Sequence, residues 1–202
     1  MLDDPKSIVS EAYNDIAPWY LEWVSKQPSS PRERYTNIML KNLPTTAPQK
    51  PRILEVGCGP GIPTTRMLLD RGAHVVANDI AAKQLEMARV RCPEASFIEE
   101  DMALLDFRPG GFDGVIHAWL KPGGVFVFNL ATVDMEEIHG EFLGRGMFWS
   151  SYGVNQSMAM VRGAGFEVLE SETLEAGDGE LGESDPDYGV KFRWVAARKW
   201  RE

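Results

Sequence analysis

The chain has 202 residues, of which 44% are hydrophobic and 25% are charged. This balance is typical of a soluble globular protein and excludes a disordered chain, which would be poorer in apolar residues. The length predicts one domain, because domains usually run about 100 to 200 residues. We expect cap helices and a linker in residues 1–50 and the core of the domain in residues 51–202.

The net charge of −9 arises from one acidic segment. Nine acidic residues and no Lys or Arg lie between Glu167 and Asp187, and we interpret this segment as a solvated loop. Apart from the last dozen residues, which contain five Lys and Arg, the chain has no basic stripe. We therefore expect no nucleic-acid partner, since binding to phosphates needs clustered cations. No apolar stretch approaches the roughly 18 residues of a membrane span, so no membrane partner is expected either.

The cysteine content bears on the compartment and on metal binding. Cys58 and Cys92 are the two cysteines, too few by themselves for a disulfide framework or a zinc cluster, so we expect no metal site. The acidic, polar N-terminus lacks the apolar core of a signal peptide. These features favour a reducing, cytoplasmic location.

The N-terminal part of the chain predicts helices. Apolar residues recur on one face of residues 5–24, which indicates a helix, and a second helix is expected over Arg34 to Leu43. The proline-rich stretch from Pro44 to Pro51 breaks any helix and is interpreted as a linker.

Short apolar runs then alternate with helical patterns. Strands are predicted over 53–56, 74–77, 96–99, 112–116, 124–130 and 166–172, and helices over 62–71, 81–91 and 154–163. This alternation predicts an α/β fold whose mostly parallel sheet is covered on both faces. In the last predicted strand, 188–197, the apolar residues fall on one side, a period-two pattern typical of an antiparallel edge strand.

The first strand runs into a glycine-rich turn, ILEVGCGPG, over residues 53–61. Glycine allows a sharp turn and the close approach of a ligand, and the N-terminus of the following helix favours an anionic group. Strand, turn and helix together predict a nucleotide-type cofactor site. The dinucleotide fingerprint G-x-G-x-x-G/A fits less well, because its third glycine position falls on Ile62.

Acidic residues follow the next two strands. Asp79 ends the second strand, where a carboxylate accepts hydrogen bonds from both hydroxyls of a ribose. Asp101 follows the third strand and would accept from an adenine amine, with Ile80 and Met102 on the two faces of the ring. Each Asp has an alternative explanation as a helix N-cap. Their succession at the carboxyl ends of consecutive strands favours the ligand site.

Taken in order, the motifs resemble those of class I S-adenosylmethionine-dependent methyltransferases. Besides the glycine turn, the motifs are VVANDI (75–80), EEDMALLDF (99–107), FDGVI (112–116) and WLKPGGVFVFN (119–129). AYNDIAPWY (12–20) is similar to the N-terminal cap of the family's small-molecule members. FWSSYG (148–153), AGFEVLE (164–170) and FRWVAARK (192–199) are similar to its closing segments.

The resemblance implies a Rossmann-like fold, S-adenosylmethionine as cofactor, and methyl transfer to a small organic molecule by direct displacement. The glycines would wrap the methionine part of the cofactor above Glu55, while Asp79 would bind the ribose and Asp101 the adenine. The residues expected to bind the cofactor are Glu55, Gly57, Gly59, Gly61, Asp79, Ile80, Asp101 and Met102.

The substrate side of the site is less clearly marked. Aromatic residues near the expected cap and closing segments predict a substrate pocket, with ordinary packing as the alternative. His117 follows the fourth strand and is the candidate base, because histidine titrates near neutral pH. His139 is expected to be solvated. The candidate substrate residues are Trp19, Tyr20, His117 and Trp149.

The connection after the fourth strand is shorter than the family pattern requires. Eight residues separate Ile116 from Val125, whereas parallel neighbours need a crossover of about a dozen or more. Either the fourth strand is placed differently, or the chain has lost a segment after Val115. The second possibility predicts a relative that binds the cofactor but is catalytically defective. A nicotinamide oxidoreductase is a third hypothesis, disfavoured by Ile62.

Overall fold

The computed structural model describes residues 4–27, 31–44, 49–115, 119–176 and 180–201. Three helices come first: α1 (Pro5–Asp15), α2 (Ala17–Lys26) and α3 (Pro31–Asn42). The helix predicted over 5–24 is divided at Ile16, because Pro18 in the first turn of α2 has no N–H to continue the hydrogen bonding of α1. Among the described residues, no helix has the length and apolar character needed to cross a membrane.

The predicted alternation of strands and helices is confirmed. The next elements are β1 (Arg52–Val56), α4 (Thr64–Asp70), β2 (His74–Asp79), α5 (Ala82–Arg91), β3 (Ser96–Glu99), a 3₁₀ turn (Met102–Leu104), β4 (Phe112–Gly114) and β5 (Leu120–Ala131). The chain continues through β6 (Met135–Phe142), β7 (Arg145–Ser151), α6 (Val154–Gly163), β8 (Phe166–Glu175) and β9 (Lys191–Lys199).

Seven strands form one sheet in the order β3-β2-β1-β4-β5-β9-β8. The five strands from β3 to β5 are parallel, and β9 is antiparallel to both of its neighbours. The mostly parallel sheet and the antiparallel C-terminal strand are therefore as predicted. The strand order differs from the prediction in one detail: β8 forms the edge of the sheet, and β9 lies one strand inside it.

The interior place of β9 explains its apolar pattern. Trp194 and Ala196 pack on one face with Tyr35 of α3, whereas Val195 and Ala197 pack on the other face with α6 and β8. Both faces of the strand are thus buried, so the alternation of residues does not mark a solvated face. The sequence pattern was compatible with either position.

An antiparallel hairpin, β6–β7, was not predicted from the sequence. Its turn places Leu143 (φ 51°) and Gly144 (φ 78°) in the left-handed region, as a two-residue hairpin turn of the I′ type requires. The Leu-Gly turn lacks the Asn-Gly or Asp-Gly signal that would have predicted it. Met147 of β7 is buried against Ala12 and Ile16, so the hairpin supports the N-terminal helices.

The interpretation of Glu167–Asp187 as a solvated loop is wrong at both ends of the segment. Its first part belongs to β8, where Glu172 forms an ion pair with Arg34 of α3. Near its end, Asp185 accepts a hydrogen bond of 3.1 Å from the indole N–H of Trp23. Donors on the N-terminal helices therefore bind these carboxylates, which the local composition did not indicate.

The connection between β4 and β5 is short, as the number of residues between the two predicted strands indicated. Gly114 pairs in parallel with Val125, so ten residues link these neighbouring positions. Val115 follows β4 with φ 140° and is buried. A positive φ is a real outlier for a β-branched residue and indicates local backbone strain.

An ion pair between a buried carboxylate and a partly exposed lysine joins the strands at this strained connection. The Asp113 carboxylate, 2% exposed, accepts from the Lys121 Nζ at 2.7 Å and from the Arg52 backbone N–H at 2.8 Å. These bonds connect β4 to the beginning of β5 and to the beginning of β1. They hold β4 in the centre of the sheet although it has only three residues.

We expect Lys121→Met to destabilise the fold by about 2–4 kcal/mol, because it leaves the buried Asp113 carboxylate without its counter-charge. Urea unfolding measures the change. Lys41→Met, at an exposed position of α3, is the control and should change the free energy of unfolding by less than about 0.5 kcal/mol. Equal unfolding midpoints for the two variants would contradict a structural role for the ion pair.

Candidate functional site

A cavity of about 560 Å³ lies at the carboxyl ends of β1, β2 and β3, with α1 along its opposite wall. Its volume is in the range of small-molecule sites, roughly 300–1,000 Å³. Seven of the residues named from the sequence line it: Tyr20, Gly57, Gly59, Asp79, Ile80, Asp101 and Met102. Glu55, Gly61, Trp19 and Trp149 are not in the lining, and His117 lies outside the described residues.

The glycine turn after β1 forms one side of the cavity. Gly57, Gly59 and Gly61 all have positive φ, at 67°, 54° and 82°. A Cβ on Gly59 would lie 3.4 Å from the ring of Tyr20, whereas one on Gly61 would lie 3.2 Å from Ala88 of α5. The first two glycines therefore face the cavity, and the third permits close packing of the turn on α5.

The Asp79 carboxylate holds the glycine turn against the end of β2. It accepts from the Gly59 N–H at 2.8 Å and from the Ala81 N–H at 2.9 Å. Burial raises the pKa of Asp79, and the backbone N–H donors oppose that effect. The carboxylate thus fixes the cavity wall and is itself part of that wall. It does not cap α5, whose N-cap is Ala81 without a side-chain hydrogen bond, so the alternative explanation of Asp79 as a helix N-cap is wrong.

Glu55 lies at the end of β1, below the turn. The Thr65 hydroxyl donates to its Oε2 at 2.6 Å. Burial raises the pKa of Glu55 to about 7, against the lowering effect of the Thr65 bond, and the nearby Asp79 carboxylate adds to the rise. A cation placed above the turn would reverse this effect by stabilising the charged carboxylate.

Asp101 is bound from two sides. Its Oδ1 accepts from the Ala103 N–H at 2.9 Å, so it does cap the 3₁₀ turn, and its Oδ2 forms an ion pair with the Lys6 ammonium of α1. The hydrogen bond from Lys6 is the main cause of the lowered pKa of Asp101. Through this pair the N-terminal helix reaches the end of β3. Met102, about half exposed, lies beside the pair in the cavity wall.

Two buried amides line the cavity and were not singled out from the sequence. Asn78 donates to the carbonyls of Ile98 and Glu100, at 3.2 and 2.6 Å, and so holds the end of β3 beside β2. Gln84 of α5 donates to the Tyr13 carbonyl of α1 at 3.2 Å. The only sign of them in the sequence was a polar residue inside an otherwise apolar strand or helix face. By itself, such a residue indicates only a buried side chain with a hydrogen-bond partner.

The aromatic wall of the cavity comes from residues other than the two tryptophans. Tyr13, Tyr20 and Phe148 line the cavity, whereas Trp19 is 58% exposed on α2. Adjacent strand residues point to opposite faces, and Trp149, next to Phe148, packs over Gly140 instead. Burial raises the pKa of both tyrosines, so their hydroxyls remain protonated donors at neutral pH. His139 is exposed in β6, as expected.

We expect Glu55→Gln to stabilise the unliganded protein at high pH. The pKa of Glu55 rises from 4.5 in the unfolded chain to about 7 in the fold, so the folded state binds the extra proton between these values. Stability is therefore lost as pH rises from 4.5 to 7, by up to about 3 kcal/mol. Gln keeps the acceptor for Thr65 and removes this loss.

Urea unfolding at pH 5 and pH 8 measures this effect. The two proteins should be nearly equal at pH 5, and the variant should be more stable at pH 8. Glu86→Gln, at an exposed position of α5, is the matched control and should show the wild-type pH dependence. A Glu55→Gln variant with the wild-type pH dependence would contradict the raised pKa.

Comparison with known proteins agrees with the fold and the motif order. A family model described as a methyltransferase domain matches residues 53–124. Malonyl-[acyl-carrier protein] O-methyltransferase of Enterobacter lignolyticus is 26% identical over 147 residues, covering 64% of this chain and 55% of that protein. The chain spans about half the length of the curated relatives it matches.

Solved structures extend the similarity to nearly the whole chain. The Burkholderia thailandensis 1,6-didemethyltoxoflavin-N1-methyltransferase, with S-adenosylhomocysteine bound, has a TM-score of 0.66 and 17% identity, covering 99% of this chain and 92% of that one. The [4+2]-cyclase SpnF has a TM-score of 0.67 and 17% identity, covering 98% of both chains. In its motif order, in the methyltransferase domain matched over residues 53–124 and in its fold, the chain is similar to class I S-adenosylmethionine-dependent methyltransferases.

Proposed function

We propose that this chain transfers a methyl group from S-adenosylmethionine to a small organic molecule. The observation that carries the proposal is the cavity at three consecutive strand ends, where the glycine turn, Asp79 and Asp101 face one space. Ligands of open α/β sheets bind at this edge. The S-adenosylhomocysteine in the Burkholderia thailandensis structure, which shares this fold, supports the choice of cofactor.

The residues present fit this cofactor. Gly57 and Gly59 leave room for the methionine part beside the turn. Glu55 lies outside the cavity lining, in the strand that leads into the turn, and would supply a negatively charged acceptor for an ammonium group bound at the turn. Asp79 would accept from the ribose, and Asp101 from the adenine amine. The Lys6 ammonium forms an ion pair with Asp101 in this structure. When the adenine binds, Lys6 would move away or share the carboxylate with the adenine amine.

When bound, the cofactor would supply a methyl group made electrophilic by the sulfonium: an O, N or C nucleophile of the substrate would bond to the methyl carbon as the C–S bond breaks, with S-adenosylhomocysteine as the leaving group. The chain's contribution is positioning and exclusion of water by Tyr13, Tyr20 and Phe148. The two tyrosines serve as hydrogen-bond donors, since their raised pKa values keep them protonated. A general base is needed only if the nucleophile of the substrate arrives protonated.

A second candidate is a protein that binds the cofactor without transferring methyl groups. The ten-residue link between Gly114 and Val125 and the positive φ of Val115 favour it, because that link borders the expected substrate side. SpnF, a [4+2]-cyclase, illustrates that a chain with this fold is not bound to methyl transfer. On this hypothesis the chain has lost a crossover segment after Val115.

We expect Asp79→Ala to weaken the binding of S-adenosylhomocysteine at least about 10-fold, because hydrogen bonds to a charged carboxylate are lost and the glycine turn is released. Isothermal titration calorimetry measures the dissociation constant. Asp106→Ala, at an exposed position outside the cavity lining, is the control and should bind like the wild type. Tight binding of NAD(P)H by the wild type would contradict the proposed cofactor.

Lengthening the chain after Val115 tests the lost segment. We expect a helical crossover of about two dozen residues to relieve the strain at Val115 and raise the melting temperature by several degrees. A flexible Gly-Ser insertion of the same length is the matched control, because it removes the strain without adding a packed helix. If the original chain melts as high and as cooperatively as both longer chains, the hypothesis of a lost segment fails.

A further inference from the structure

Gln84 carries a buried acceptor that no described residue satisfies. The side chain is 1% exposed, and its Oε1 has no hydrogen-bond partner, while its Nε2 donates to the Tyr13 carbonyl at 3.2 Å. A buried polar atom without a partner destabilises the fold, because it loses the hydrogen bonds that water gives it in the unfolded chain. Such an atom in the wall of a ligand cavity indicates that the ligand completes its hydrogen bonding.

The orientation of this amide is fixed by its partner on α1. Tyr13 lies in the last turn of α1, where carbonyls lack intrahelical donors, so its oxygen needs a donor from elsewhere. Turning the Gln84 amide around would place two acceptors opposite each other. The carbonyl of the N-terminal helix thus directs Nε2 to α1 and leaves Oε1 on the other side of the amide.

The free acceptor lies near the residue of the glycine turn that Asp79 binds. Oε1 lies 3.9 Å from the position that a Cβ of Gly59 would take, and the Gly59 N–H is bonded to the Asp79 carboxylate. Gly59 in the cavity wall is therefore a neighbour of both the Gln84 acceptor and the Asp79 carboxylate. With the ribose at Asp79, the group in reach of Oε1 is a ribose hydroxyl, which has an O–H to donate.

We propose that Gln84 binds a ribose hydroxyl of the cofactor and couples that contact to the docking of α1. The proposal rests on the proposed function, because it takes the ligand to be an adenosyl compound. One amide then serves two partners: Nε2 holds the Tyr13 carbonyl and Oε1 accepts from the ligand. Docking of α1 orients the acceptor before the ligand arrives, so docking and binding reinforce each other.

The chain offers a matched control for the docking contact alone. The Asn14 Oδ1 of α1 accepts from the Lys83 N–H of α5 at 2.9 Å, one residue away from Gln84. Asn14 and Gln84 thus make two side-chain hydrogen bonds between the same two helices. Asn14 is absent from the cavity lining, so removing it weakens the docking of α1 without removing a ligand acceptor.

Calorimetry with S-adenosylhomocysteine and 5′-methylthioadenosine separates these roles. The second compound keeps the ribose and adenine and lacks the amino acid part. We expect Gln84→Met, which is similar in volume, to bind both ligands about 3- to 10-fold more weakly than the wild type. Asn14→Ala, which weakens only the docking of α1, should lose no more than about 2-fold for either ligand, a smaller loss than that of Gln84→Met, because the acceptor remains.

Three results would overturn the inference. They are equal binding by Gln84→Met and wild type, equal losses in Gln84→Met and Asn14→Ala, and a loss for S-adenosylhomocysteine without one for 5′-methylthioadenosine. The last would place Oε1 on the ammonium group rather than the ribose. A wild type that binds neither ligand contradicts the proposed function itself, so the two failures are distinguishable.

Coupling to α1 is measured by hydrogen exchange. We expect S-adenosylhomocysteine to slow exchange in α1 of the wild type more than in Gln84→Met at saturating ligand. Gln84→Asn, which withdraws the acceptor by one methylene, replaces the Met variant in every measurement if that variant melts below the assay temperature. Equal protection of α1 in the variant and the wild type would contradict the coupling.

Discussion

The site depends on one carboxylate that ties three segments together. Asp79 accepts from the Gly59 N–H of the glycine turn and from the Ala81 N–H before α5, so the ends of β1 and β2 and the start of α5 share an anchor. Positive φ values give the turn its shape, and the bond from Gly59 to Asp79 holds that shape against β2. The same carboxylate faces the cavity. A change at Asp79 would therefore affect both the stability of the cavity wall and the binding of a ligand.

The N-terminal helices complete the site from the other side, and their position depends on a distant hairpin. Met147 of β7 packs on Ala12 and Ile16, which sets α1 and α2 over the sheet edge. From there Lys6 reaches Asp101, and the Tyr13 carbonyl reaches Gln84. A loosened hairpin would therefore affect cofactor contacts that it does not itself make.

The centre of the sheet, at β4, is its most irregular part. The three-residue β4 lies between β1 and β5, held by the Asp113–Lys121 pair, and the positive φ of Val115 follows at once. The sheet stays continuous across β4, although the parallel link is short. Backbone strain is concentrated at the buried Val115, next to the expected substrate side. It accompanies a short link between the parallel strands β4 and β5.

The sequence determined the alternation of strands and helices, the glycine turn and the acidic ends of β2 and β3, because these follow from local periodicity and from residues at strand ends. It did not determine the interior place of β9, since a strand buried on two faces and an edge strand share the same apolar alternation there. Nor did it select Phe148 over Trp149, or reveal Gln84. Which face of a strand meets the cavity, and which buried amide lacks a partner, depend on contacts between segments far apart in the chain, and only the tertiary structure decides those contacts.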